Sequence, residues 1–141
     1  YFALEIPDNR QHDSYLNLPL DEMMLHIQKA IENGHPVCWE GDISEEGFIH
    51  AKDNYVDIPE NERPVTPTSR QEEFEQLRTT DDHVMEIIGT FLKDEQRYYV
   101  CRNSAGKIWG NQGLIYLSED YLRLKTIAVF MSEEAFLFDR K

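Results

Sequence analysis

Hydrophobic spacing along the chain changes period twice. Residues 1–16 mix charge, Asn and aromatics with no period and read as an extended lead-in. Met23, Met24, Ile27, Ala30 and Ile31 then recur at helical spacing. They predict an amphipathic helix over 21–33, with Asp21 and Glu22 in its first turn and Gly34 as its stop. Pro36-Val37-Cys38-Trp39 reads as a short buried strand. Residues 43–67 show no period and are broken by Gly47, Pro59, Pro64 and Pro67, so a long loop is expected there, of the kind usually given to function or disorder. Thr68 or Ser69 is expected to cap a short polar helix through Leu77, with Glu72 completing a capping box with Ser69.

Beyond His83 the pattern becomes strand-like. Residues 84–92 and 97–102 predict a hairpin turning at Lys93-Asp94-Glu95-Gln96. Residues 114–117 predict another strand, Ser118-Glu119-Asp120 a helical turn, and 126–131 a last strand. The fold class that follows is α+β: one long N-terminal helix, short helices and an antiparallel sheet. At 141 residues the chain is expected to form a single domain over 1–141.

Composition narrows the function classes. Hydrophobic residues make up 40%, enough for a core and too many for a disordered chain. No apolar run is long enough for a membrane span, so no membrane partner is expected. The net charge of −13 argues against nucleic acid, whose binding needs clustered Lys and Arg. It reads as a solubilising surface, with a weak pull towards basic peptides. Cys38 and Cys101 are too few for a disulfide framework and fit no zinc spacing; both read as buried apolar thiols, and neither metal nor cofactor is expected. His26, alone beside the helix stripe, reads as structural.

The chemistry lies in two segments. His83 opens one predicted strand of the hairpin and Asn103 closes the other, so the two side chains can meet. The first segment is Asp82-His83-Val84-Met85-Glu86-Ile87-Ile88-Gly89. The second runs from Tyr98 through Asn103-Ser104-Ala105-Gly106, Trp109-Gly110 and Gly113. Together they resemble the His and Asn segments of papain-like cysteine peptidases, whose Asn segment reads Asn-Ser-Trp-Gly, two residues, Trp-Gly, two residues, Gly. One fixed position departs: Ala105 stands where the first Trp is expected. Asn17–Met23, Gly34–Val37, Trp39–Ser44, Thr66–Gln71, Thr79–His83 and Tyr121–Ile127 are similar to the bleomycin hydrolase or aminopeptidase C branch, and the resemblance covers most of 15–131.

The resemblance implies the C-terminal, half-barrel portion of a thiol peptidase. His83 would be the catalytic imidazole and Asn103 its orienter. Asp82 would line the primed side of the cleft. Trp109 would shield the His–Asn hydrogen bond, and Ala105 would leave it open to water. Gly110 and Gly113 would permit the turn that follows. The nucleophilic Cys and the oxyanion Gln come from the N-terminal half in that family. The chain, which opens on Tyr1, is therefore expected to lack that half and to be inactive alone. Cys101 shares a strand with the orienter and is not expected to attack. The partners implied are a peptide substrate, the missing N-terminal half and a homo-oligomer. Relatives form hexamers whose C-terminal arm enters the cleft, and residues 136–141 do not match that arm. The compartment is cytoplasmic by resemblance, with a secreted or periplasmic one open. The second function expected is a non-catalytic, peptide-binding or structural relic of the same fold, which Ala105 favours.

Overall fold

The structure is a computed structural model that describes residues 1–7 and 9–137. Its organising element is a six-stranded sheet in the order β4-β7-β6-β5-β3-β8. The strands are β3 (Val37–Gly41), β4 (Tyr55–Val56), β5 (His83–Lys93), β6 (Gln96–Arg102), β7 (Leu114–Ser118) and β8 (Thr126–Phe130). Every neighbouring pair is antiparallel except β4 with β7. A separate two-stranded ribbon pairs β1 (Phe2–Ala3) with β2 (Ser14–Tyr15) in the lead-in.

The helix read from the stripe is α1 (Leu20–Glu32). It buries Leu20, Met24, Ile27 and Ala30, and Gly34 follows it at φ +83°, a left-handed conformation that disfavours a Cβ. Its stripe packs into one core with Val37 and Trp39 of β3, Met85 and Ile87 of β5, and Tyr99 and Cys101 of β6. Ile115 and Leu117 of β7 and Tyr121, Leu122 and Leu124 complete the far side. His26 stacks on Phe136 with ring centroids 4.4 Å apart, a packing role.

Residues 43–67 are not a structureless loop. They hold α2 (Glu46–Ile49), β4 and a 3-10 turn at Glu60–Glu62. Tertiary pairing makes this order: β4 is two residues long and exists because Tyr55 and Val56 add to the edge of β7. Arg63 ties the end of the segment down through Asp57, Asp120 and Glu60. The next helix, α3 (Pro67–Glu75), begins before the expected Thr68 or Ser69 cap and ends before Leu77. Thr66 is the cap, Pro67 occupies the first turn, and the box closes between Thr66 and Ser69 rather than Ser69 and Glu72.

The hairpin of β5 and β6 is tighter than expected. Lys93 pairs with Gln96, leaving only Asp94 and Glu95 in the turn, both at positive φ. Two positive φ values match the right-handed twist of the strands. A bulge between Ile87 and Gly89 shifts the register on the way to the site. α4 (Glu119–Lys125) is capped by Ser118, and α5 (Glu133–Leu137), which had no sequence signal, follows β8.

The two thiols differ. Cys101 is fully buried in the core, whereas Cys38 is only half-buried on the opposite face of the sheet. The alternation along β3 buries Val37, Trp39 and Gly41 and turns Cys38 and Glu40 the other way. Of the C-terminal stretch set against the arm of relatives, residues 138–141 lie outside the described residues.

Candidate active site

The structure brings His83 and Asn103 together. His83 is the first residue of β5, and Asn103 is the first residue past β6. His83 Nε2 lies 2.9 Å from Asn103 Oδ1. Ser104 N–H also donates to that Oδ1, at 2.8 Å. A backbone N–H can only donate, so the atom that both groups approach must be the amide oxygen. An amide oxygen can only accept, so Nε2 of a neutral His83 carries the proton. Nδ1 is then the basic nitrogen, and no described residue bonds to it. Such an imidazole can take a proton on Nδ1 and return it from there.

Asn103 is held by its backbone. Its N–H donates to Gly113 O at 3.0 Å, and Gly113 N–H donates to Trp109 O at 2.7 Å. Glycine suits the turn at Gly110, which has φ +58° and Leu114 O against where a Cβ would stand, and at Gly106 and Gly113, which have φ +87° and +90°. Trp109 lies half-buried in the same turn. Its aromatic partner is Phe48, 6.3 Å away, and it packs on the core. Ala105 is exposed beside Asn103. Its side chain ends at Cβ and is too short to cover the His–Asn pair.

Asp82 is exposed overall, but its carboxylate is engaged. Oδ1 accepts from Ile43 N–H at 2.8 Å, and Asp82 N–H donates to Gly41 O at 3.3 Å. Sequence reasoning missed the residue beside it. Asp42 is 1% exposed and accepts four hydrogen bonds, from Ser44 N–H and Oγ on one oxygen and from Thr80 N–H and Oγ1 on the other. Burial pushes the Asp42 carboxyl up, but the four bonds outweigh it and hold it below the usual carboxylate range. Asp82 moves the other way. Burial and then the nearby Asp42 charge raise it, against the pull of the Ile43 N–H. Asp42-Ile43-Ser44 is a turn signature, so a local signal existed. Nothing local shows that Thr80, 38 residues away, completes the cage.

Neither thiol reaches His83. Cys38 pairs with Glu86, and β5 alternates, so it lies on the face opposite His83, Met85 and Ile87. It also sits three rungs from the Gly41–His83 rung, about 10 Å along the strand. Cys101 pairs with Ile87, roughly 13 Å along β5 from His83. Burial raises both thiols, the opposite of what a nucleophile needs. Among the described residues no group of three or more His, Cys, Asp or Glu is arranged to hold a metal ion, and no helix is long and apolar enough to cross a membrane.

No family model and no curated protein matches the chain. Among solved structures it is similar to PepW from Lactobacillus rhamnosis HN001, with a TM-score of 0.66 at 20% identity. The match covers 85% of this chain and 28% of the PepW chain, so this chain spans little more than a quarter of that protein. The likeness shows a shared mixed α/β fold.

Proposed function

We propose that this chain supplies the acid–base half of a cysteine peptidase site, of the aminopeptidase C type, and that a thiol from outside the chain completes it. The observation that carries the reading is the His83 Nε2–H···Asn103 Oδ1 hydrogen bond, with Oδ1 identified by Ser104 N–H. The two matching segments and the fold shared with PepW support the same reading.

In this reading Asn103 holds the ring so that Nδ1 faces the reaction. Nδ1 takes the thiol proton, and the thiolate attacks the scissile carbonyl carbon. As the tetrahedral adduct collapses, the C–N bond breaks and Nδ1–H protonates the leaving amine. An acyl-thioester remains. Nδ1 then removes a proton from water, the hydroxide displaces the thiolate, and the thiolate regains that proton. His83 is the acid–base, Asn103 its orienter, and Asp82 a wall of the leaving-group side. The substrate is a peptide, and the parent acts as an exopeptidase. The chain by itself hydrolyses nothing, because Cys38 and Cys101 both lie far from His83.

Labelling the native, full-length protein with an electrophilic peptide ketone tests this. One cysteine other than Cys38 or Cys101 is expected to be alkylated, and His83→Ala is expected to slow labelling at least a hundredfold, the scale of a lost general base. No labelled cysteine, or labelling indifferent to His83→Ala, overturns the reading. A second reading, a peptide-binding relic without chemistry, is favoured by the small Ala105 beside the His–Asn bond. Peptide binding with no alkylation identifies it.

A further inference from the structure

The end of β3 and the approach to β5 grip each other twice. Asp42, just past β3, reaches with its carboxylate to Thr80, taking the N–H at 2.8 Å and Oγ1 at 3.1 Å. Asp82, just before β5, reaches back to Ile43 N–H at 2.8 Å. The rung between these crossed ties is Gly41 with His83. The first carboxylate is buried and the second exposed, so the strength is unequal. Asp42 also fixes its own backbone: its N–H donates to Lys125 O at 3.1 Å, and its C=O accepts from Tyr121 OH at 2.7 Å. Asp42 thus joins β3, α4 and the segment leading into the imidazole.

The other side of His83 is held differently. Asn103 contacts the ring only, and its own anchor is the 103–113 turn, most of whose residues are exposed. A ring hydrogen bond of 2.9 Å needs the strand start within a few tenths of an ångström, because such bonds weaken steeply with misalignment. The β5–β6 ladder ends at the Glu86–Arg102 pair, so His83, Val84 and Met85 have a strand partner only on β3. The Gly41–His83 rung on β3 therefore carries that placement, and the cage around Asp42 holds the rung.

We infer that Asp42 is the positioning residue for His83: its caged carboxylate sets the start of β5 so that the imidazole meets Asn103 in a single tautomer. The inference deepens the proposed acid–base role and rests on it for its purpose. Its test reads the imidazole alone, so neither a nucleophile nor turnover is needed.

The experiment is nitrogen NMR of the native full-length protein labelled at histidine, with His83 assigned by His83→Gln. Wild type, first treated with the peptide ketone so that no thiolate pairs with the ring, is expected to show one neutral tautomer, protonated at Nε2, with slow Nε2–H exchange. Asp42→Asn keeps the volume but sets an NH2 group or loses an acceptor against the Thr80 or Ser44 donors. It is expected to populate both tautomers and to speed Nε2–H exchange at least tenfold. Thr80→Val, which removes one of the four bonds and the weaker contact of the same hydroxyl with Asp82 Oδ2 at 3.3 Å, is expected to shift the same signals by less, and Thr80→Ser is expected to restore them. Should Asp42→Asn fail to fold, Thr80→Val and Thr80→Ser decide. A folded Asp42→Asn, or Thr80→Val, with the wild-type tautomer and exchange rate overturns the inference while leaving the peptide-ketone result standing. Loss of the alkylated cysteine with the tautomer shift intact does the reverse.

Discussion

Lys125, the last residue of α4, and His83, the first of β5, are polar side chains built to opposite specifications. Lys125 is 1% exposed, and its three ammonium protons meet three acceptors: Glu45 and Glu73 carboxylates at 3.0 Å and Arg78 O at 3.1 Å. Nothing is left over for another molecule. His83 is half-buried, and among the described residues only one of its two ring nitrogens is bonded. A saturated group can hold a fold but cannot exchange a proton. A group with one nitrogen fixed and one spare can do so without losing its orientation.

The largest way to break that comparison is to remove each partner in turn. Lys125→Met leaves Glu45 without its cation and Glu73 with Arg78 alone, and is expected to destabilise the chain by about 3 kcal/mol. Asn103→Ala removes two partly exposed hydrogen bonds, from His83 and from Ser104 N–H, and is expected to lose about 1–2 kcal/mol. Urea unfolding midpoints measure both. Equal losses would mean that His83–Asn103 is also a structural tie.

Acid offers a smaller and graded test. Burial pushes the Asp57 carboxyl up, but Arg63, Ser118, Gln96 and Ile58 outweigh it and hold it below its ordinary 3.8. Asp42 is held low by its cage in the same way. In both, the unfolded chain binds the proton first as pH falls. Their stabilisation is therefore complete above about pH 4 and is lost as pH drops through the lower native values. Asp82, raised in the fold, contributes with the opposite sign. The unfolding midpoint is expected to fall between pH 4 and pH 3, and Asp57→Asn to flatten that limb. An identical acid limb in Asp57→Asn would remove the Arg63 cluster from the account.

The smallest expected effect sharpens the site itself. Ala105→Trp puts an indole where the family pattern has one, and is expected to slow His83 Nε2–H exchange a few-fold. The unfolding free energy should stay within about 0.5 kcal/mol, as for other exposed positions. Unchanged exchange would show that an aromatic there does not cover the bond.

Much of the site is legible in the sequence. Strand alternation marked β5 and β6, and a hairpin brings a residue opening one strand near a residue closing the other, so the meeting of His83 and Asn103 follows from local pattern. The Phe48 contact of Trp109 was not legible, because a motif gives spacing but not which ring lies opposite, and Phe48 comes from a segment read as loop. That segment was misread for the same reason, since β4 has no pattern of its own and is ordered by the edge of β7.

The chain by itself determined the elements with strong periodicity, the glycines that its turns demand, and the residue types able to hold and orient a proton. These depend on neighbours a few residues away. Only the tertiary structure decided which carboxylate is buried, which thiol faces which side of the sheet, and that Thr80 closes around Asp42. Those outcomes depend on groups distant in sequence sharing one desolvated space, where a hydrogen bond formed or missed is worth far more than it is in water.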